Sequence, residues 1–174
     1  MYEAAFQAVA HLRSLGHTNL MYVGDIHVQR GFALRWHAFC QAMSEAGTTV
    51  DPHHHSISAR KSRPDWLEEL KEKLLLYKPT AIICGIDGEA APVYRLCIEL
   101  GLRIPEDLSF VAFLNEQPMH SPMPLFTRPL LPIRETGYRA ADRMLWRMAN
   151  PSLPFEHIRI QCDFFNGETT RKLE

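Results

Sequence analysis

Short apolar runs, two of the three bounded by glycine or proline, alternate with longer segments of helical periodicity, and this alternation restricts the fold most. The apolar runs lie at 19–24, 79–85 and 108–113. The helical segments lie at 4–15, 31–45, 64–77 and 91–100. Nearly continuous apolar runs are typical of strands that are covered on both faces. The alternation therefore predicts an α/β fold with a parallel sheet and helices on both faces.

The composition fits one soluble globular domain and excludes several classes of partner. The chain has 174 residues, of which 46% are hydrophobic, and 19 Lys and Arg oppose 20 Asp and Glu. A net charge of −1 argues against direct binding of a phosphate backbone, which needs a basic face. No apolar run approaches the roughly 18 residues that cross a bilayer. We therefore expect neither direct DNA binding nor a membrane partner.

The cysteines and the first residues indicate a cytoplasmic protein. Residues 1–10 lack the basic start and apolar stretch of a secretion signal. The four cysteines lie far apart, without a CxxC pair: Cys40, Cys84, Cys97 and Cys162. Such spacing is typical of buried thiols in a reducing compartment.

The second half of the chain changes character. Prolines at 118, 122, 124, 129 and 132 exclude a continuous helix or a central strand over residues 115–132. We expect one short extended piece at 125–128. A helix with an apolar face should follow over 133–148, and the alternation at 157–162 predicts a strand.

Several phrases, in this order, resemble the effector-binding region of the lactose/galactose-repressor family of bacterial transcription regulators. They are Ala8–His17 before the first strand, Arg35–Phe39 with Ala46-Gly47 after it, Lys78–Ile83 followed by Asp87, and Leu100–Phe113. The last phrase is the most specific. The similarity runs from about residue 4 to residue 170.

The resemblance implies a periplasmic-binding-protein-like lobe with an incomplete second lobe. Family members carry a DNA-binding head and two lobes that close over a small effector, and their chain crosses between the lobes three times. This sequence resembles only the part after the first crossing. Residues 1–131 and 164–174 would then form one lobe, and residues 132–163 would belong to the other. We expect the chain to be a piece of a longer regulator.

The helix over 133–148 would then lack the lobe on which it normally packs. Leaving so apolar a face exposed is unfavourable. We therefore predict that this face docks against a second copy of the chain, or that the helix takes a position foreign to the family.

The resemblance places effector contacts at the carboxyl edge of the sheet. Arg35 stands where the family has an arginine that binds effector hydroxyl or carboxylate groups, although a surface arginine at a helix start is the alternative. Gln29 and Arg30, in the loop 25–31, are further candidates. Asp87 either accepts a ligand hydroxyl or caps the next helix.

Departures from the family pattern bear on the ligand. Leu114 replaces an aspartate that usually binds the effector, and Asn115, which follows it, is a further ligand-binding candidate. Arg60 falls where many members stack an aromatic ring. Two arginines, Arg35 and Arg60, therefore suggest a phosphorylated or acidic sugar. Pro92 leads us to expect that the helix after Asp87 starts late or is distorted.

No pattern supports a cofactor, a metal site or catalysis. Consecutive histidines at 53–55 point in different directions, so we interpret them as a solvated strand end. Glu106 and Asp107 lie in a turn at the opposite edge from the presumed cleft. Neither GxSxG, HExxH nor a glycine-rich phosphate loop occurs.

The sequence therefore predicts the effector-sensing, homodimer-forming part of a transcription regulator, which binds a sugar or an anionic metabolite and reaches DNA only through a head outside this chain. The alternative is a solute-binding protein of a transport system, whose lobes share this architecture. A third hypothesis, a small α/β enzyme, would rest on fold analogy alone.

Overall fold

The computed structural model describes residues 2–57, 65–116 and 123–173. The helices are α1 Tyr2–Ser14, α2 Arg30–Glu45, α3 Trp66–Tyr77, α4 Asp87–Glu99 and α5 Ile133–Ala149, with a short 3₁₀ helix at Pro52–His54. The strands are β1 Leu20–Val23, β2 Ala81–Cys84, β3 Ser109–Ala112, β4 Arg128–Leu130 and β5 Asp163–Phe165.

The main sheet is parallel and has the order β1-β2-β3. Leu20 pairs with Ala81, which pairs with Ser109. Isolated parallel bridges extend the sheet on both sides, to Ser56 beside β1 and to Thr127 beside β3. The predicted parallel α/β fold is confirmed.

Helices cover both faces of this sheet, which explains why its strands are apolar throughout. Tyr22 and Ile83 point toward α1 and α2 on one face. Val23 and Ile82 point toward α3 and α4 on the other. All four residues of each strand are buried, as a sheet covered on both sides requires.

The C-terminal segment returns to the main sheet. Strands β4 and β5 pair antiparallel, and the chain then runs along β3. The Phe110 N–H donates to the Thr169 carbonyl at 2.6 Å, and the Leu173 N–H donates to the Leu15 carbonyl at 2.8 Å. A Cβ on Gly167 would lie 2.1 Å from the Leu125 carbonyl oxygen. Only glycine therefore allows so close an approach of the two backbones.

Helix α5 stands apart from this core. None of its residues is buried. The segment after it folds back onto its polar side, where Arg143 pairs with Glu156 at 2.5 Å and the Arg147 guanidinium lies 4.3 Å from the Phe155 ring centre. The apolar side stays exposed, so the helix does not pack into the lobe.

Helix α4 begins earlier than the sequence suggested. It starts at Asp87 and contains Pro92 in its interior, so the expectation of a later start is wrong. Burial of Ala90 and Val93 on both sides of the proline stabilises the helix against the loss of one backbone hydrogen bond.

Two predicted strands are misplaced. Residues 157–162 form no strand, and β5 follows them instead. Alternation alone cannot form a strand without a neighbour to pair with, and residues 157–159 are exposed. The extended piece predicted at 125–128 is a strand at 128–130. This strand tolerates Pro129 because β5 is its only ladder partner among the described residues. No helix within the described residues is long and apolar enough to span a membrane.

Candidate functional site

The connections after β1 and β2 leave toward opposite faces, which opens a crevice at the carboxyl edge of the sheet. After β1 the chain passes to α2 on one face and then to Ser56, beside the outer side of β1. After β2 it passes to α4 on the other face and then to β3. Open α/β sheets bind ligands at such a switch point.

Arg35 lies beneath this crevice and connects α2 to the end of β2. Its guanidinium Nη1 donates to the Gly85 carbonyl. Its Cζ lies 5.1 Å from the ring centre of Phe32 and 4.7 Å from that of Phe113. Only 3% of Arg35 is exposed, and burial lowers the pKa of its guanidinium from the ordinary value. The alternative of a surface arginine is therefore wrong.

Asp87 connects the loops after β2 and β3. It is the first residue of α4, and Ile86 holds the N-cap position, so the capping alternative is wrong. Its Oδ2 accepts a hydrogen bond from the Asn115 N–H at 3.2 Å. The carboxylate thus lies where two strands end, and the helix N-terminus favours its charge.

The departure at residue 114 has a structural counterpart. Leu114 is buried and packs in the core on the α4 side of the sheet. Asn115 is exposed at the edge. The carboxylate that the family pattern places at 114 is therefore replaced by an apolar contact, and Asp87 supplies the acid at this edge.

The loop after β1 is exposed and shaped by a buried aspartate. Asp25 Oδ1 accepts from the His27 N–H at 2.8 Å. Gln29 is the N-cap of α2 but makes no side-chain capping bond, and both Gln29 and Arg30 are exposed. Arg60 lies outside the described residues.

A cavity of about 780 Å³ opens beside Asp87, between the sheet edge and the start of α5. Its lining consists of Asp87, Asn115, Glu116, Leu131, Pro132, Ile133, Arg134, Glu135 and Tyr138. This volume suits a small metabolite. The cavity brings together two of the predicted site residues, Asp87 and Asn115, whereas Arg35, Gln29 and Arg30 do not line it.

Four polar lining residues were missed by the sequence reasoning: Glu116, Arg134, Glu135 and Tyr138. Arg134 and Tyr138 are four residues apart in a helix, so they share one side of it. That spacing, directly after a proline-rich crossing segment, was the available signal. Glu116 carries no signal beyond its place next to Asn115.

The end of β2 is closely packed from below. A Cβ on Gly85 would lie 2.1 Å from the Tyr22 hydroxyl oxygen. That hydroxyl is buried without a hydrogen-bond partner in the part of the chain that the structure describes, and burial raises the pKa of Tyr22. The crevice floor is therefore rigid and admits only glycine at residue 85.

The histidine triplet is not a solvated strand end. Its first two residues end a 3₁₀ helix, and His55 is buried, with its Nδ1 accepting from the Tyr22 N–H at 3.1 Å. Burial lowers the pKa of His55 to about 4. No group of three potential metal ligands occurs among the described residues.

The carboxylate pair at 106–107 lies far from the crevice. Asp107 pairs with Arg103 at 2.6 Å in the turn that enters β3, at the opposite edge of the sheet. This contact lowers the pKa of Asp107 through hydrogen bonds from Arg103. The pair therefore closes a turn and is remote from the cavity.

Comparison with known proteins gives the family. Residues 9–170 match the periplasmic binding protein-like domain. The transcriptional regulator DegA of Bacillus subtilis is 33% identical over 141 residues, which are 79% of this chain and 42% of DegA. The chain thus spans about half the length of the relatives it matches.

Solved structures show the same fold. A LacI-type regulator from Bacillus cereus subsp. cytotoxis is 22% identical with a TM-score of 0.81, over 99% of this chain and 61% of that one. A LacI-family regulator from Enterococcus faecium with bound ribose is 24% identical with a TM-score of 0.75, over 99% and 64%. The chain belongs to the periplasmic binding protein-like domain family and corresponds to the effector-binding region of LacI-type transcription regulators.

Proposed function

We propose that this chain senses a small effector, a sugar or a related metabolite, for a dimeric cytoplasmic transcription regulator whose DNA-binding head lies outside these residues. The observation that supports this proposal is the cavity at the carboxyl ends of β2 and β3, where Asp87 and Asn115 meet the start of α5. The ribose bound by a regulator of the same fold supports a sugar as the ligand class.

In this proposal the cavity is one part of a cleft between two lobes. Residues 1–131 and 164–174 form the wall described above, and residues 132–163 belong to the second lobe. Effector binding closes the cleft and changes the spacing of the DNA-binding heads in the dimer. Such coupling requires a higher effector affinity for one of the two forms.

Asp87 is the residue that we expect to matter most for effector binding. Its carboxylate can accept hydrogen bonds from ligand hydroxyl groups while it still accepts from Asn115. The roles predicted for Arg35, Gln29, Arg30 and Arg60 remain predictions.

The native polypeptide tests this function directly. An antibody to this segment should recover from the source cells a protein well above 20.0 kDa, with a helix-turn-helix before the region described here. A secretion signal at its start would instead indicate a solute-binding protein of a transport system. A native band of 20.0 kDa would contradict the regulator.

The recovered regulator also tests the site. With D-ribose as probe, Asp87→Asn should raise the ribose concentration that half-maximally changes DNA binding by about 10- to 100-fold, because a hydrogen bond to a charged group is lost. Asp142→Asn, at an exposed aspartate of α5 outside the cavity, is the matched control. Equal effects of the two substitutions would show that Asp87 does not bind the effector.

A further inference from the structure

We propose that Tyr138 and Glu116 belong to the effector site and make it selective for an uncharged polyhydroxyl ligand over phosphorylated or acidic derivatives. This inference rests on the proposed function and names the ligand class of the same cavity. It follows from the charges and the aromatic surface that line the cavity.

Among the described residues that line the cavity, acidic groups outnumber basic groups. Three carboxylates, Asp87, Glu116 and Glu135, face one guanidinium, that of Arg134. Glu135 is paired with Arg139 at 2.9 Å, and Arg139 does not line the cavity. Two carboxylates and one arginine therefore remain for the ligand. An anionic ligand would be repelled by more groups than attract it.

Hydroxyl groups match this lining better. Ionised carboxylates accept hydrogen bonds from ligand hydroxyls, the Arg134 guanidinium donates to them, and the Asn115 amide does both. A polyhydroxyl ligand can satisfy each of these groups without bringing a charge into the cavity.

Tyr138 supplies the apolar surface that such a ligand needs. It is 64% exposed, it lines the cavity, and it lies one helical turn after Arg134. A tyrosine ring offers a flat apolar face beside a polar hydroxyl, which suits the C–H face of a sugar ring. Pro132 and Ile133 add apolar lining nearby. The ring therefore offers an aromatic surface for stacking against the ligand.

The lining of this cavity argues against the expected anionic effector. That expectation relied on Arg35 and Arg60. Arg35 lies below the crevice floor, donates to the Gly85 carbonyl and does not line the cavity. Its guanidinium is therefore not among the groups that this cavity offers to an anionic ligand.

The test is a titration of the recovered full-length regulator, followed by ligand-observed NMR, with D-ribose, D-glucose and D-galactose, each beside its terminal phosphate. At least one neutral sugar should bind about tenfold more tightly than its phosphate. The ring protons of the bound sugar should move upfield, as they do over an aromatic face.

Variants assign the effect to the two residues. Tyr138→Leu should weaken neutral-sugar binding about fivefold or more and abolish the upfield shift, whereas Tyr138→Phe should retain both. Glu116→Lys should make the sugar phosphate bind more tightly than the neutral sugar. Glu116→Gln should reduce the difference in affinity between the two. Phe155→Leu, at an exposed aromatic residue outside the cavity, should change nothing.

The outcomes separate this inference from the proposed function. Sugar binding that is unaffected by Tyr138→Leu and Glu116→Lys, or tighter binding of the phosphates, would overturn the inference and leave the effector function standing. Failure of all six compounds to bind would count against both.

Discussion

The hydrophobic pattern of the sequence predicts both the three-stranded lobe and helix α5, but the strands of the lobe are buried and α5 is exposed. Every residue of β1, β2 and β3 is buried between two layers of helices. Helix α5 is as clearly amphipathic as any helix of the lobe, yet none of its residues is buried. Amphipathic periodicity therefore predicts that a helix forms, but it does not tell which molecule covers the apolar face.

Matched leucine truncations give the largest expected contrast between the two regions. Leu70 of α3 is 0% exposed and Leu145 of α5 is 66% exposed. Leu70→Ala should lower the free energy of unfolding by about 2–5 kcal/mol, because it removes buried apolar surface and leaves a cavity. Leu145→Ala should change it by less than about 0.5 kcal/mol. Urea unfolding of both variants measures the difference, and equal losses would show that α5 is packed.

Glycine substitutions compare how much room the two regions leave for an added methyl group. Gly85→Ala places a methyl group 2.1 Å from the Tyr22 hydroxyl oxygen and should cost about 3 kcal/mol, at the upper end of overpacking effects. Gly137 of α5 has nothing within 4 Å of its would-be Cβ. Gly137→Ala should stabilise the chain slightly or leave it unchanged, because alanine favours helix. Thermal unfolding distinguishes the two; a neutral Gly85→Ala would contradict the rigid crevice floor.

The pH dependence of stability should come from the lobe. Burial, with help from His54 and Lys73, lowers the pKa of His55 from 6.5 to about 4. The folded chain then keeps His55 neutral while the unfolded chain takes up a proton, so this stability is present above pH 6.5 and is lost as the pH falls toward 4. Between pH 7.5 and pH 5 the loss should be about 2 kcal/mol.

Two histidine variants isolate that contribution. His55→Gln, which can still accept from Tyr22, should flatten the pH dependence of the unfolding free energy. His53→Gln, at an exposed histidine of the same triplet, should retain the wild-type slope. Parallel pH profiles for wild type and His55→Gln would show that another group is responsible.

The lobe was more predictable from sequence than the cavity, for a physical reason. The three buried strands follow from short apolar runs, two of which have glycine or proline at their ends, and these are local signals. Asp87 and Asn115 follow from the rule that strand ends meet at one edge. Tyr138 reaches the same cavity only because the start of α5 lies beside the sheet edge, which no local pattern specifies.

The errors have the same origin. Pro92 argues locally against a helix, but buried neighbours in the tertiary structure hold α4 together. Residues 157–162 alternate like a strand, but the described chain gives them no neighbour with which to pair. His55 follows two exposed histidines in the sequence, yet its ring fills a space beside Trp36 and Phe39. In each case the tertiary environment overrode a local preference.

Amide hydrogen exchange of the dilute chain tests the central contrast most directly. Amides of β1, β2 and β3 should exchange only through global unfolding, whereas those of α5 should exchange orders of magnitude faster. Protection of α5 that rises with protein concentration would agree with docking of its apolar face on a second copy. Protection of α5 equal to that of the strands in the monomer would contradict the account, because the helix would then be part of a self-sufficient lobe.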